Sequence, residues 1–248
     1  MRFDVLTLFP DMFSSLLAES VMKNAVDCGI VRVSLIDIRD FAADKHRTTD
    51  DYPFGGGPGM VMMPEPVFRA AESVLEAGRN EKVPVILLSP QGRRFDQQVA
   101  KDLAACEQIM LVCGHYKGID ERIRTDLATD EISIGDFVIT GGELAAMIVI
   151  DAVTRLLPGV LGDFASAEGD SFYEGLLESA TYTRPRDFRG HAVPDVLLGG
   201  NHEVIRQWRR RDSLKRTLLR RPDLLERIKI TDEDKRMLED IKADLNLN

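Results

Sequence analysis

Three glycine-rich segments, each following a short apolar run, are the first indication of chemistry in this 248-residue chain. They read "LLSPQGR" (87–93), "LVCGHYKGID" (111–120) and "SIGDFVITGGEL" (133–144). Glycine lets the backbone approach a ligand closely, and in an open α/β sheet ligands bind beyond the carboxyl ends of the strands. One such loop often serves only as a turn, but three in one stretch of chain favour a shared small-molecule pocket.

The residues of these loops also restrict the ligand. The third segment carries no Lys or Arg, and the chain has neither a G-x-G-x-x-G motif after its first strand nor a P-loop. A helix that begins at Gly142 could bind an anion through its free amides, but the carboxylate of Glu143 would occupy that position itself. We therefore predict a neutral pocket that holds its ligand by backbone amides and apolar contacts, such as an adenosine without phosphates.

Apolar runs and helical patterns alternate along the N-terminal two thirds of the chain. Alternation of this kind predicts an α/β domain with a largely parallel sheet over residues 1–161. Pro158-Gly159 is expected to end the last helix of this domain. The patterns predict strands at 3–9, 31–38, 83–89, 109–114 and 132–139, and helices near 11–27, 64–78, 96–105, 118–127 and 143–157.

Composition changes after this domain. Segment 162–175, "GDFASAEGDSFYEG", is small, polar and acidic, and we predict an interdomain linker that is mobile in the free protein. Residues 176–248 are expected to form a small, mostly helical domain, with a basic helix from His202 to about Arg220 and a terminal helix near 232–245. Thr231, which is followed by three acidic residues, is expected to cap the terminal helix.

The positive charge of the chain is concentrated in the C-terminal region. The formal net charge is −9, yet residues 201–229 hold ten Lys/Arg and only four Asp/Glu. Both a solvated charged helix and a surface that binds nucleic-acid phosphates are consistent with this distribution.

Other features limit the class of protein. The three cysteines, Cys28, Cys106 and Cys113, lack metal-ligand spacing and indicate core residues of a reduced, cytoplasmic protein. The sequence contains no apolar run long enough to cross a membrane, and its first residues are typical of a strand rather than a signal peptide. The glycine cluster "DDYPFGGGPGMVMM" (50–63) is open to two interpretations, a flexible surface loop or a substrate lid.

Several longer motifs, taken in order, resemble the bacterial tRNA (guanine-N(1)-)-methyltransferase family, TrmD, of the SPOUT superfamily. The motifs are "DYPFGGGPGM", "SPQG", "LVCGHYKGIDER", "SIGDFVITGGELAAM", "IDAVTRLLPGVLG", "SAEGDSF", "YTRP" and "RQWR", and they extend over nearly the whole chain. The resemblance implies a parallel-sheet domain with a deep trefoil knot, a topology that general rules of chain connection disfavour.

The resemblance also implies that S-adenosyl-L-methionine is bound by the three glycine-rich loops. The implied cofactor contacts are Leu88, Ser89, Pro90, Gly92, Gly114, Tyr116, Ile134, Gly135, Phe137, Val138, Ile139, Gly141 and Gly142.

The implied reaction is methyl transfer to N(1) of guanosine 37 in tRNA, beside the anticodon, when a guanosine precedes it. Asp170 matches the family's general base, and Arg155 matches an arginine that stabilises charge on the guanine O6. From the residues alone, a linker carboxylate such as Asp170 is ordinarily just solvated. Arg155 is also spaced to pair with Asp151, four residues earlier on one helix, and the two roles of Arg155 are compatible.

By the same resemblance the protein is a homodimer with an active site shared between subunits. The tRNA would lie between the knotted domain of one subunit and the C-terminal domain of the other. The family also depends on Mg²⁺, although the sequence contains no visible metal-ligand cluster. The candidate contacts to tRNA phosphates are Arg209, Arg210, Arg211, Lys215, Arg220 and Arg221.

The sequence departs from the family pattern at a few positions. His115 and Lys117 replace a common Arg and Glu, Phe137 replaces a frequent Tyr, and Ala145 replaces a frequent Pro. The change at Lys117 alters the charge beside the implied cofactor. Two alternatives stay open, a SPOUT methyltransferase acting on another RNA site and a non-catalytic RNA-binding protein that retained the fold.

Overall fold

The structure of the chain, a computed structural model, describes residues 1–78, 83–162 and 169–246. Its contacts divide the chain into two compact units, Met1–Gly162 and Asp163–Asn248.

The first unit is built on a five-stranded parallel sheet with the strand order β2-β1-β6-β5-β8. The prediction of an α/β domain with a central parallel sheet is confirmed. The strands of the first unit are β1 (Arg2–Thr7), β2 (Arg32–Asp37), β3 (Asp50–Asp51), β4 (Val61–Met62), β5 (Val85–Arg94), β6 (Gln108–Cys113), β7 (Gly118–Ile119) and β8 (Asp130–Ser133).

Successive side chains of the central strands pack on opposite faces of the sheet, so both faces are buried. In β6, Ile109 and Leu111 belong to one apolar cluster, whereas Met110 and Val112 belong to the other. This arrangement explains why the strand sequences are continuous apolar runs instead of alternating ones.

Helices cover both faces of this sheet. The helices α2, α4 and α5 contribute buried side chains to the first cluster, and α3 contributes Val67, Ala70 and Val74 to the second. The helices of the first unit are α1 (Ser14–Ala18), α2 (Ser20–Asp27), α3 (Pro64–Gly78), α4 (Gln97–Ala104) and α5 (Glu143–Thr154).

Two of the predicted helices were wrong in part. The predicted helix at 11–27 is interrupted because Glu19 is extended and Ser20 has φ of +54°. The predicted helix at 118–127 is instead the short strand β7 followed by one π-helical turn, Ile123–Leu127. The pairing of β7 with β4 fixes Gly118 and Ile119 in an extended conformation.

The predicted strand at 132–139 was also wrong beyond Ser133, where β8 ends. Gly135 has φ of +147°, which turns the chain away from the sheet. The apolar side chains that follow are exposed, with Phe137 at 55% and Val138 at 84% of their maximal accessibility. Their hydrophobicity therefore reflects an open surface at the edge of the sheet and not a buried strand.

The glycine cluster at 50–63 forms a hairpin that is attached to the second glycine-rich loop. Strands β3 and β4 pair antiparallel on either side of the cluster, and β4 pairs parallel with β7. The Lys117 amide donates to the carbonyl of Met60 at 3.0 Å. The flanks of the hairpin are thus held in place, while Phe54 at its tip is exposed.

The second unit contains a small hairpin and two helices around their own core. Its elements are β9 (Asp187–Phe188), β10 (His191–Ala192), α6 (His202–Arg220) and α7 (Asp232–Asp244). Leu176, Leu214, Leu238 and Ile241 form the buried core. The predicted basic and terminal helices are both confirmed.

The predicted linker at 162–175 is described only in part. Residues 163–168 lie outside the described residues, so the prediction of mobility there stays a prediction. The described residues 169–175 form turns, in which the Phe172 amide donates to the carbonyl of Leu176 at 2.7 Å.

The two helices of the second unit are joined by a buried ion pair. Arg210 on α6 donates to both carboxylate oxygens of Asp234 on α7, at 2.8 and 2.9 Å. Thr231 caps α7 as predicted, since its hydroxyl accepts from the Asp234 amide and its own amide donates to the Asp234 carboxylate. Hydrogen bonds from Arg210 lower the pKa of Asp234 from 3.8 to about 2, although burial opposes the shift.

Replacing Asp234 by Asn should lower the free energy of unfolding of the second unit by about 2 kcal/mol at neutral pH. Because the folded-state pKa of Asp234 is depressed, its contribution is present above about pH 4 and is lost as the pH falls toward 2. Urea unfolding followed by fluorescence of Trp208, the single tryptophan, measures it.

Asp232→Asn is the matched control, since the Asp232 carboxylate is exposed and bonds only to Lys235 among the described side chains. Equal stability of the two variants at neutral pH would contradict a structural role for the buried pair.

Candidate functional site

The three glycine-rich loops meet at one edge of the central sheet. Strands β6, β5 and β8 are adjacent and parallel, so the loops that leave their carboxyl ends emerge side by side. Together the loops enclose a cavity of about 310 Å³. Its size is in the range of small-molecule sites.

The cavity brings together the cofactor-binding residues named from the sequence, except Gly92. The first loop contributes a polar hydroxyl, the second a tyrosine, and the third a largely apolar wall. The lining residues are Leu88, Ser89, Pro90, Gly114, Tyr116, Ile134, Gly135, Phe137, Val138, Ile139, Gly141 and Gly142.

Gly92 is not among the residues that line the cavity. A Cβ atom at this position would lie 2.4 Å from the Ile132 amide nitrogen and 2.5 Å from the Glu131 carbonyl group. The pairing of β5 with β8 is interrupted between Leu88 and Arg93, and Gly92 lies within this bulge. Glycine is therefore required here because two backbones are in contact.

A network of hydrogen bonds also attaches the first loop to β8. The Ser89 hydroxyl donates to the carboxylate of Glu131 and accepts from the Gln91 amide at 3.0 Å. The Arg124 guanidinium holds the same carboxylate, with Nε at 3.1 Å from both oxygens. The wall formed by residues 89–91 is thus anchored to β8.

The opposite wall is formed where α5 begins. The Gly142 amide donates to the Gly114 carbonyl at 2.8 Å, and a Cβ at Gly142 would lie 2.7 Å from Cα of Cys113. Glu143, in the first turn of α5, is 1% exposed and accepts a hydrogen bond from the Thr7 hydroxyl at 2.7 Å. The helix N-terminus is therefore already supplied with a negative charge, as the sequence predicted.

His115 lies between this buried carboxylate and the cavity. Its Nδ1 atom is buried, has no hydrogen-bond partner among the described residues, and lies 4.0 Å from Oε2 of Glu143.

Burial, reinforced by the charge of Glu143, raises the pKa of the Cys113 thiol well above its usual value. Cys113 therefore remains a neutral core residue at physiological pH.

The prediction of a neutral lining was wrong, because Lys117 and Arg124 also line the cavity. The charge of Arg124 is balanced by Glu131 and Glu121. Lys117 makes no ion pair with a carboxylate of the described residues, and its side chain packs against Gly59. The sequence did not indicate Arg124 as a lining residue, because it lies in the π-helical turn outside the glycine-rich segments. Lys117, by contrast, belongs to the second glycine-rich segment itself.

Neither of the two residues named as catalytic is among the residues that line this cavity. Arg155 follows α5 and lines a second cavity of about 530 Å³ together with Asp151 and Glu19. Asp170 belongs to the second unit, where its carbonyl accepts from the Tyr173 amide at 3.2 Å.

Of the six residues named for tRNA contacts, some are paired with carboxylates of the chain and others are not. Arg210, Arg211 and Arg221 are each bound by a carboxylate of the second unit. Arg209, Lys215 and Arg220 make no ion pair with any carboxylate in the described part of the chain.

Within residues 1–78, 83–162 and 169–246, the structure contains no group of three or more His, Cys, Asp or Glu that could hold a metal ion. None of the helices in these residues is long and apolar enough to span a membrane.

The fold and the loops define an α/β protein with a cavity at the carboxyl edge of a parallel sheet. The chain belongs to the tRNA (guanine-1)-methyltransferase TrmD family, whose model matches residues 1–227. It is 59% identical to the tRNA (guanine-N(1)-)-methyltransferase of Moorella thermoacetica over 241 residues, which cover 97% of this chain and 96% of the relative.

Two further relatives carry the same name. The protein of Dehalococcoides mccartyi strain CBDB1 is 56% identical over 246 residues, 99% of each chain. That of Geobacillus kaustophilus is 56% identical over 240 residues, 97% of this chain and 98% of the relative.

Gly92→Ala should destabilise the first unit by at least about 2 kcal/mol, since the added methyl group meets backbone atoms that cannot rotate away. Chemical unfolding of the full chain measures the effect. Gly162→Ala is the control, because a Cβ at Gly162 meets nothing within 4 Å. A Gly92→Ala protein as stable as this control would show that the bulge can widen without cost.

Proposed function

We propose that this protein transfers a methyl group from S-adenosyl-L-methionine to N(1) of guanosine 37 in tRNA, when a guanosine precedes that position. The observation that carries the proposal is the convergence of three glycine-rich loops on one cavity in a chain of the TrmD family. S-adenosylmethionine supplies a methyl group made electrophilic by its positively charged sulfur.

Most of the cavity wall suits an adenosyl group, although Lys117 adds one cation that has no ion pair among the described residues. Its third wall offers apolar side chains, Ile134, Val138 and Ile139, against which a purine can pack. At Gly141, a Cβ would come within 2.5 Å of both Nδ1 of His115 and Oε2 of Glu143, so only glycine fits against these two side chains. The buried charge of Glu143 would repel a phosphate at the start of α5.

The proposed topology of the cofactor domain is a deep trefoil knot, as in the SPOUT superfamily. The three glycine-rich loops to which the family resemblance assigns the knot meet at one edge of the sheet, which supports this topology. In this proposal 1–161 is the knotted cofactor domain, 162–175 the linker and 176–248 the tRNA-binding domain.

Asp170 is the proposed general base. N(1) of guanine carries a proton that must leave as the new N–C bond forms and the methyl–sulfur bond breaks, and the Asp170 carboxylate accepts that proton. The segment following Asp170 is held in turns by backbone hydrogen bonds, which limits where its side chain can lie.

Arg155 is the proposed stabiliser of the guanine O6. Removal of the N(1) proton spreads negative charge onto O6, and a fixed guanidinium lowers the energy of that state. Arg155 is held at the end of α5, where its amide donates to the Asp151 carbonyl at 3.1 Å. Asp151 and Arg155 line the same cavity, which supports a role for Asp151 in orienting the guanidinium.

The proposed assembly is a homodimer with a shared active site. On α5, Leu144 and Ile148 are 49% and 48% exposed, although both are large and apolar. Their spacing continues through Asp151 to Arg155 along one helix face. A second copy of the chain packing on this face would cover the apolar residues and place Arg155 at the subunit boundary.

The described residues do not fit a protein-held Mg²⁺, because they contain no cluster of metal ligands. The proposed mechanism therefore has no step that uses a metal ion.

In the tRNA-binding domain, Arg209, Lys215 and Arg220 are better suited to phosphates than Arg210, whose guanidinium is held by buried Asp234.

Replacing Asp170 by Asn should reduce the rate of methyl transfer to a tRNA transcript by about 100-fold to 10,000-fold, the usual contribution of a general base. Cofactor affinity should be unchanged, because the glycine-rich cavity lies in the first unit. Single-turnover transfer of labelled methyl groups and calorimetric titration with S-adenosylhomocysteine measure the two quantities.

Glu178→Gln serves as the control, since Glu178 is an exposed carboxylate in the same part of the chain. Full activity of the Asp170→Asn protein would refute the assignment of the base. A methyl-transfer rate lowered equally in the Asp170→Asn and Glu178→Gln proteins would also refute the assignment.

A further inference from the structure

A cleft in the second unit shares Arg209 with the proposed tRNA contacts and otherwise lies outside the sites assigned above. It is located between the segment 180–198 and the helix α6, and its volume is about 400 Å³. Part of its wall comes from "TYTRPR" (181–186), a segment to which the proposed reaction gives no role.

Three arginines line this cleft without a carboxylate partner. Arg184, Arg186 and Arg209 are exposed and make no ion pair with any carboxylate that the structure describes. By contrast, Arg206 and Arg216 on the same helix α6 are each bound to an acidic residue. None of the described lining residues is Asp or Glu. The positive charge of the cleft is therefore available to an anion from outside the chain.

The floor and rim of the cleft suit a planar ring. Val193, Leu197 and Ile205 contribute apolar surface, and Tyr182 is 51% exposed beside them. Aromatic rings and guanidinium planes are the groups on which proteins stack unpaired nucleobases.

The walls of the cleft are held by hydrogen bonds within the second unit. The Ala180 amide donates to the Asp212 carboxylate on α6 at 2.7 Å, and Arg216 holds the same carboxylate oxygen. On the other side, the Val193 amide donates to the Arg186 carbonyl at 2.8 Å. These hydrogen bonds tie both walls of the cleft to neighbouring segments of the second unit.

We propose that the cleft formed by Arg184, Arg186, Arg209 and Tyr182 binds one unstacked nucleotide of the substrate RNA. The base stacks on Tyr182 above the apolar floor, and the flanking phosphates bind the three guanidinium groups. The cavity volume is within the range of pockets that enclose a small ligand. The inference rests on the proposed function only in taking tRNA as the RNA, and it is independent of the methylated position.

The test measures binding of a tRNA transcript to the full chain, without cofactor, over a series of salt concentrations. For the double variant Arg184→Gln/Arg186→Gln, the slope of log K against log salt should fall by about two, one for each lost phosphate contact. Tyr182→Ala should weaken binding by about tenfold, with little change in the slope, because it removes stacking and not charge.

Arg206→Gln/Lys235→Gln is the charge-matched control. Both side chains are exposed, lie in the second unit outside the cleft, and are paired with acidic residues on their own helices. This control should bind tRNA with nearly the wild-type slope. Equal slopes for the two double variants would overturn the proposal, since they would indicate a general effect of charge.

Conservative variants separate a local effect from misfolding. Arg184→Lys/Arg186→Lys should retain most of the salt slope, and Tyr182→Phe should bind tRNA as the wild type does. Loss of binding in Tyr182→Phe would overturn the stacking of a base on this ring.

The cleft as an RNA-binding site and the proposed methylation of guanosine 37 can be refuted separately. If wild-type protein binds tRNA through this cleft but methylates another position, only the proposed function fails. If the cleft variants bind and methylate tRNA normally, only the cleft proposal fails.

Discussion

The arrangement of the candidate site depends on close contact between backbones at the edge of a parallel sheet. Because β5, β6 and β8 run in the same direction, their carboxyl ends lie together and their loops must share a small space. Gly92 touches the backbone of β8, and Gly142 touches that of Cys113. A Cβ at either position would clash with backbone atoms, so this close arrangement of the loops requires glycine at both.

The polar groups around the cavity are arranged to keep this geometry fixed. Glu131 holds Ser89 from one side, and Glu143, held by Thr7, lies under the other. Both carboxylates are bonded to other parts of the first unit, which links the loops to β8 and β1. The lining that remains for a ligand is mostly backbone and apolar side chains, with Lys117 as its unpaired described cation.

Much of the fold could be predicted from the sequence where a single periodicity dominated. The predicted helix at 64–78 coincides with Pro64–Gly78, and the Thr231 cap is present with its reciprocal bond from Asp234. The prediction failed where tertiary contacts decided the conformation. The segment 118–127 has a helical pattern, but pairing with β4 makes its start a strand.

The candidate site, like the fold, could be predicted in part from the sequence. The glycine-rich loops indicated the cavity, because glycine is needed where backbones come into contact. Ion pairs could not be predicted, because they depend on which side chains meet in space. The six cations named on the basic helix could not be separated by sequence into those bound by Asp234, Asp244 or Asp223 and those available to RNA. Arg184 and Arg186, which lie before that helix in the chain, were missed for the same reason.

The measurement that tests the central claim most directly is in-vitro methylation of tRNA transcripts with and without guanosines at positions 36 and 37, followed by mass mapping of the modified nucleoside. We expect N(1)-methylguanosine at position 37 in transcripts with both guanosines, and loss of the product when either guanosine is replaced. Methylation that persists without guanosine 37, or that maps to another position, would contradict it.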